Sequence, residues 1–377
     1  MPSLLRSGLS LKLLMTSIGV AGLFMMGAGA IAAAPAAGGD YRFVEGGTAQ
    51  LKEVKRVIIT NFVVAFQVDA SVRNDNATRI GKTTVRGGNA KEVAAKMEWQ
   101  NIDNTLLQAI ADAGLASLKA DFKAKGIEVL DESVLAGQSA YSSIIAATGL
   151  TNFTDYSILN ITDDTQKANA TETVRNGMAR IVGAKGLTPY NHSIFEGGQG
   201  CYAHGKSLPS QKVYYVPGFE IDLAKSLDAV VVKAWQFVNF TQLAAGVKQE
   251  GWAGGVGGAT VQFDASARSV VRVREGKTRL SFRLPTSTQR TRNTPALLEA
   301  KDGDAVVVLA KPLLIGTDYY KLEDTGATGA QKVRAGLGGT QNFNFGATLG
   351  NPSTYKTDVS KNVDVVLAGL VGTALGR

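Results

Sequence analysis

Residues 54–69 read VKRVIITNFVVAFQVD. β-branched and aromatic residues fill this run without helical spacing, which suits a strand buried on both faces. From Asn101 the period changes. Ile102, Leu106, Ile110, Ala113 and Leu118 recur at helical spacing, with Asn101 or Asp103 placed to cap the start and Lys125-Gly126 to stop the end. Ile127 to Leu130 then reads as a short strand. Strand, long helix and short strand make one α/β unit, and the rest of the chain is read outward from it.

Before the unit, residues 35–53 are Ala, Gly and polar and read as a flexible lead-in; within the unit, residues 70–92 read as a long exposed excursion. After it, Ser139 to Ala147 suggests a short helix, Tyr156 to Ile161 a strand, and residues 163–182 a weaker helical pattern. Residues 186–210 are a loop. Val213 to Val216, Asp228 to Phe240 (DAVVVKAWQFVNF), Ala259 to Arg274, Thr278 to Leu284 and Ala305 to Ile315 read as strands. Glu275-Gly276-Lys277 has the length of a hairpin turn between two of them. The Gly-rich stretches 251–258 and 324–350 read as loops. Val359, Val363, Val366, Leu367 and Leu370 share one face of a terminal helix. The fold class expected is α/β (α+β): a mixed β-sheet flanked by helices, with a β-hairpin-rich second half and a C-terminal helix. Residues 54–185 form an α/β domain, and residues 211–377 continue it or form a second domain.

The first 34 residues give an address. Arg6 and Lys12 precede an uncharged stretch, Leu13 to Ala34, that ends in small residues before Pro35. A basic start, an apolar middle and a small-residue end mark a secretory signal peptide; an uncleaved anchor is the alternative. The expected location is therefore exported, in the periplasm or associated with the outer membrane of a bacterium. With 377 residues, 45% hydrophobic, the chain has material for a real core, and disorder is excluded. Cys201 is the sole cysteine, so no internal disulfide holds the fold.

VKRVIITNF, the amphipathic helix through LKADFKAKG and the strand IEVLDESVL follow one another as first strand, helix and strand. This order resembles the periplasmic α/β domain of the curli-secretion outer-membrane component, and TolB amino-terminal domains. The resemblance covers residues 54–150, with DAVVVKAWQF as the next sheet member. It departs at the absent lipid-attachment cysteine and the long 70–92 excursion. It implies an envelope assembly, export or scaffolding role and carries over no catalytic residue.

Few motifs carry chemistry. Gly200-Cys201-Tyr202-Ala203-His204-Gly205-Lys206-Ser207 matches the phosphate-loop pattern, so Gly200, Gly205, Lys206 and Ser207 are nucleotide candidates. The loop would have to leave a strand and open a helix, and its flanks suggest neither. His192, Cys201 and His204 lie close in sequence and suit a soft metal, although a closed zinc site needs a fourth ligand. No G-x-S-x-G elbow is present. Paired acids such as Asp163-Asp164 and Asp131-Glu132 leave a hydrolase of an envelope polymer as an alternative reading.

Charge is concentrated. Arg268, Arg272, Arg274, Lys277, Arg279, Arg283, Arg290 and Arg292 lie in one segment with Glu275 as its sole acid, a local +7 in a chain of +8. Strand alternation puts Arg268, Arg272 and Arg274 opposite Val271 and Val273, and Arg279 and Arg283 opposite Leu280, Phe282 and Leu284. Arg268, Arg272, Arg274, Arg279 and Arg283 are thus expected to form an anion-binding face. The partner implied is an envelope component or protein with an anionic surface, with membrane-surface contact and a homo-oligomer as further possibilities; export argues against nucleic acid. The function expected is non-enzymatic, in envelope assembly, transport or binding, with no cofactor.

Overall fold

The computed structural model describes residues 40–75, 78–80, 83–85, 91–157, 173–192, 206–207, 212–250, 260–287, 304–324, 331–334 and 339–376. The expected signal peptide, Asp163-Asp164, Cys201, His204, the Gly-rich stretch 251–258, Arg290 and Arg292 lie outside these residues.

Within the expected lead-in, strand β1 (Tyr41–Glu45) is followed by the one-turn helix α1 (Thr48–Leu51). Strand β2 (Arg56–Asp75) runs well past the expected end, because Ala70 and Val72 keep one side apolar and buried. The described residues of the 70–92 segment are thus strand. A small hairpin, β3 (Thr78–Ile80) with β4 (Thr83–Val85), leads into β5 (Lys91–Gln100), which returns antiparallel to β2.

Helix α2 (Asn104–Ala124) starts where Asp103 Oδ1 accepts from Thr105 N–H at 2.8 Å and ends before Gly126, whose φ is 73°. Strand β6 (Glu128–Val129), helix α3 (Ser139–Thr148) and strand β7 (Thr154–Ser157) follow. Thr173 to Gly183 is strand β8, not helix, since it pairs along β2 from Val63 to Asn74. Strand β9 (Lys206–Ser207) pairs with β7. Val213 to Tyr215 is a 3-10 turn leading into helix α4 (Val216–Leu227), where a strand was expected; Pro217 suits a helix's first turn.

Strand β10 (Val230–Glu250) lies parallel to β2 at its start. Strands β11 (Thr260–Val273) and β12 (Arg279–Arg283) do not pair with each other as the hairpin reading required. Both run antiparallel to β10, end to end, β11 beside Val238 to Glu250 and β12 beside Val231 to Trp235. The Glu275–Lys277 turn is a jog between them. Gly276 adopts φ 70°, and the Thr278 hydroxyl accepts the Phe237 N–H at 3.0 Å in the gap. The expected Ala305 to Ile315 strand is broken at Pro312 into β13 (Ala305–Leu309) and β14 (Leu313–Thr317). Strands β15 (Tyr320–Asp324), β16 (Gln331–Arg334) and β17 (Gly339–Leu349) occupy much of the expected 324–350 loop, and α5 (Pro352–Leu375) closes the chain.

One mixed sheet results, in the order β1-β13-β12-β10-β2-β5-β17-β15, flanked by helices. The parallel β2–β10 pair at its centre joins the two halves of the chain. Helices α2 and α5 cover one face, where Phe122 meets Phe282 edge-on at 6.3 Å. Helices α3 and α4 cover the other, with a cluster of Val63, Ala65, Leu150, Tyr156, Ala179, Ile181, Trp235 and Phe237. All five residues expected on the inner face of α5 are buried.

The sheet forks. Beyond Phe66 and Val238, β10 parts from β2, and β5 takes its place from Asp69 onward. Gln67 Oε1 accepts the Phe240 N–H at 3.2 Å where the strands separate, which pairs a donor that has left the ladder. Two layers continue past the fork: β8, β2, β5 and β17 in one, β10, β11 and β16 in the other. Their apolar sides face each other, with Val72, Val93, Ala95 and Phe343 packed against Leu243, Ala245 and Ala265.

Candidate functional site

The centre of β10 reads VVVKAWQF, and a lysine in such a run must find company when both sheet faces are covered. Alternation sends Val231, Lys233 and Trp235 to the α3/α4 side, where their register partners are Arg283, Ser281 and Arg279. Arg272 lies opposite Asn239 on the same side, and Arg274 N–H donates to Phe237 O at 2.8 Å. The jog between β11 and β12 keeps the phase, so the arginines of both strands share one face although they form no hairpin. Arg272, Arg274, Arg279 and Arg283 are all buried and Lys233 is wholly so. Arg268 is different: it sits past the fork, opposite Gln242, and is exposed. The structure therefore brings four of the five expected arginines together as buried residues on one side of the sheet, and holds one at the surface.

Glu220 of α4 meets this cationic stripe. Its Oε2 lies 2.8 Å from Lys233 Nζ and 3.6 Å from Arg283 Nε, with Glu220 and Lys233 both fully buried. Arg283 also reaches Asp304 at 3.5 Å. Tyr190 donates its hydroxyl to Glu220 Oε1 at 3.1 Å and stands 2.8 Å from the Thr60 hydroxyl. Burial, and then the charge of Glu220, push the Tyr190 phenol well above its ordinary range, so it stays a donor. The β2–β10 register slips at Thr60, and Asn61 beside it exchanges hydrogen bonds with the Tyr190 backbone, donating to its carbonyl at 2.7 Å. A bulge that re-aims two polar side chains thus fixes the loop that carries Tyr190.

His192 follows in that loop. It is buried, with its ring 5.5 Å from Trp235 and edge-on to it. Burial first, then the positive charges of Lys233, Arg279 and Arg283, hold its pKa well below the usual imidazole range, so it is neutral. Cys201 and His204, its expected metal-binding companions, lie outside the described residues, and among those described no cluster of metal-ligating side chains occurs. Lys206 and Ser207 form a two-residue strand beside Tyr156 and Ser157 rather than opening a helix; Gly200 and Gly205 are outside the described residues.

A cleft of about 1000 Å³ opens at the pole where β2 and β10 begin, between Lys52, Arg56, Glu128, Asp228 and Asp304. Arg56 pairs with Glu128 there at 2.9 Å, so the lining carries both signs. Among the described residues no helix is long and apolar enough to cross a membrane.

Sequence reasoning missed Glu220, Tyr190 and the Thr60 bulge. Lys233 carried a readable signal, as the lone charge in an apolar strand run; Glu220 did not, because its helix was hidden behind the β-like Val213 to Val216. Comparison of the chain with protein-family models, with curated proteins and with solved structures found no match in any of the three.

Proposed function

We propose that the chain is an exported, non-enzymatic envelope protein that acts in assembly or transport at the outer membrane, engaging it through the two layers beyond the fork. The observation that carries this reading is the length and patterning of those strands. β10 runs 21 residues and β2 runs 20. From Thr241 to Glu250 β10 keeps only β11 and leaves the helices behind. A stretch of about ten alternating residues is what a tilted strand needs to cross a bilayer. Leu243, Ala245, Ala265 and Ala267 face one side, and the sequence continues the alternation through Val247, Val261 and Phe263.

In the isolated chain each layer covers the apolar side of the other. Side by side with further copies, the same faces would meet lipid while the backbone stayed paired. Arg268, exposed on the polar side of β11, is placed to meet an anionic headgroup or partner. The resemblance of the first strand, helix and strand to the curli-secretion component, as read from the sequence, supports the same role.

The test is gentle extraction of a tagged chain from its own envelope, followed by fractionation and native mass. A large homo-oligomer in the outer-membrane fraction is the expected result. A monomer in the soluble fraction would overturn the reading.

A further inference from the structure

Helix α5 is held to the rest of the molecule along α2, and two carboxylates lie in that contact. Val363 approaches Gly114 closely enough that a Cβ there would sit 3.2 Å from Val363 Cγ1. The next residue, Asp364, hydrogen-bonds Ser117, one turn further along α2. Asp121 follows Ser117 at the i+4 position, so Asp121 and Asp364 share one side of the interface. Asp121 Oδ2 and Asp364 Oδ1 are both buried without a hydrogen-bond partner among the described residues. Two carboxylates so placed cannot both ionise without cost.

We propose that the α2–α5 contact is a proton-controlled latch, packed while Asp121 and Asp364 hold a proton between them and loosened when both ionise. The charged neighbours support this arrangement. Lys125, one turn on, is the cation acting on Asp121. Lys119 on α2 is turned away to Glu132 at 2.5 Å, and Asp358 on α5 accepts the Tyr319 hydroxyl at 2.7 Å. Phe282 and Leu309 on the strands beneath the helix pair are apolar, and on β1 the alternation that turns Tyr41 toward α5 brings Glu45 to the same side.

Burial, and then Asp364, raise the Asp121 carboxyl from 3.8 to about 6. Burial raises Asp364 as well. Because the folded value is the higher one, the stabilisation is complete below about 3.8 and is lost as pH rises through about 6. The latch reaches the edge of the sheet. The Tyr41 hydroxyl of β1 donates to Val365 O at 3.4 Å, and its ring rests on Gly369, so a loosened α5 frees β1.

Hydrogen exchange on the full chain at pH 5 and 7.5, corrected for intrinsic rates, tests this. Amides of α5 should lose about tenfold in protection over that interval, while those at the β2–β10 centre do not follow. Asp121→Asn should abolish the loss, and Asp364→Asn should reduce it. His192 lies on the opposite face and moves overall stability the other way below its ordinary pKa, so the readout is the α5 amides and the difference between wild type and variant. Equal α5 protection at both pH values, or an Asp121→Asn profile that overlays the wild type, would overturn the proposal.

Discussion

Lys233 holds a full charge at the centre of a covered sheet, and Glu220 is the carboxylate that meets it, at 2.8 Å. Such a pair adds little net stability over apolar residues of the same volume, because desolvation offsets the attraction, but breaking it strands a charge. Glu220→Gln is therefore expected to cost about 3–5 kcal/mol in urea unfolding. Combining Glu220→Leu with Lys233→Met should recover most of that loss. A double variant as unstable as the sum of its single changes would show that the two groups act independently. Lys233 stood out in the sequence as a charge inside VVVKAWQF. Its partner could not be found there, since nothing local to Glu220 says that α4 crosses this strand.

Among the elements, those with a single strong period were legible. Helix α2 buries Leu106, Ile110 and Leu118 as expected, with Ala113 exposed instead, and Asp103 caps it and Gly126 ends it. Helix α5 likewise buries Val359, Val363, Val366, Leu367 and Leu370. Two elements were hidden by tertiary context. α4 begins in Val-Tyr-Tyr-Val, which favours strand locally, and a glutamate sits on its buried face, which blurs the apolar stripe. β8 (TVRNGMARIVG) shows no clean apolar alternation because small Gly177 and Ala179 fill its buried side while Arg180 on the other side pairs with Asp155. Gly114 marks a close approach of α2 to the sheet: an added Cβ would lie 2.8 Å from Phe62 Cζ. Gly114→Ala should destabilise by about 1–3 kcal/mol through overpacking, despite the better helix propensity of alanine. Adding Phe62→Leu should relieve part of it in thermal unfolding. A stabilised Gly114→Ala would mean that α2 can shift outward freely.

For the whole molecule, the sequence pointed to an α/β sheet with helices on both faces, and that is the fold. The arginine concentration was visible too, but not the bulge between Ser269 and Arg272 that turns Arg268 to the opposite side of the strand from Arg272. Nor did the sequence carry the cover over the other four, because burial of Arg272, Arg274, Arg279 and Arg283 depends on elements distant in the chain. The fork was also out of reach: Gly- and Asn-rich segments around the projecting strands read as loops. Its patterning gives a prediction at this scale. Leu243→Lys with Ala265→Asp places charge on the apolar sides of both strands of one ribbon. If those sides meet lipid, the lysine costs up to about 2–4 kcal/mol of insertion at mid-bilayer depth and the aspartate less, and the chain should move to the soluble fraction. Retention in the membrane fraction with both substitutions would assign membrane contact to another surface.

The parallel pairing of β2 with β10 also constrains how the molecule comes into being. Thr60 and Val232 touch across 172 residues of sequence. A chain that emerges amino-terminus first must therefore keep β2, one of its most apolar segments, waiting until β10 has been delivered. Such non-local pairing closes slowly and leaves strand edges exposed meanwhile. A pause in delivering its second half is therefore expected to raise the aggregation of the first, which a comparison of stalled and released chains would measure.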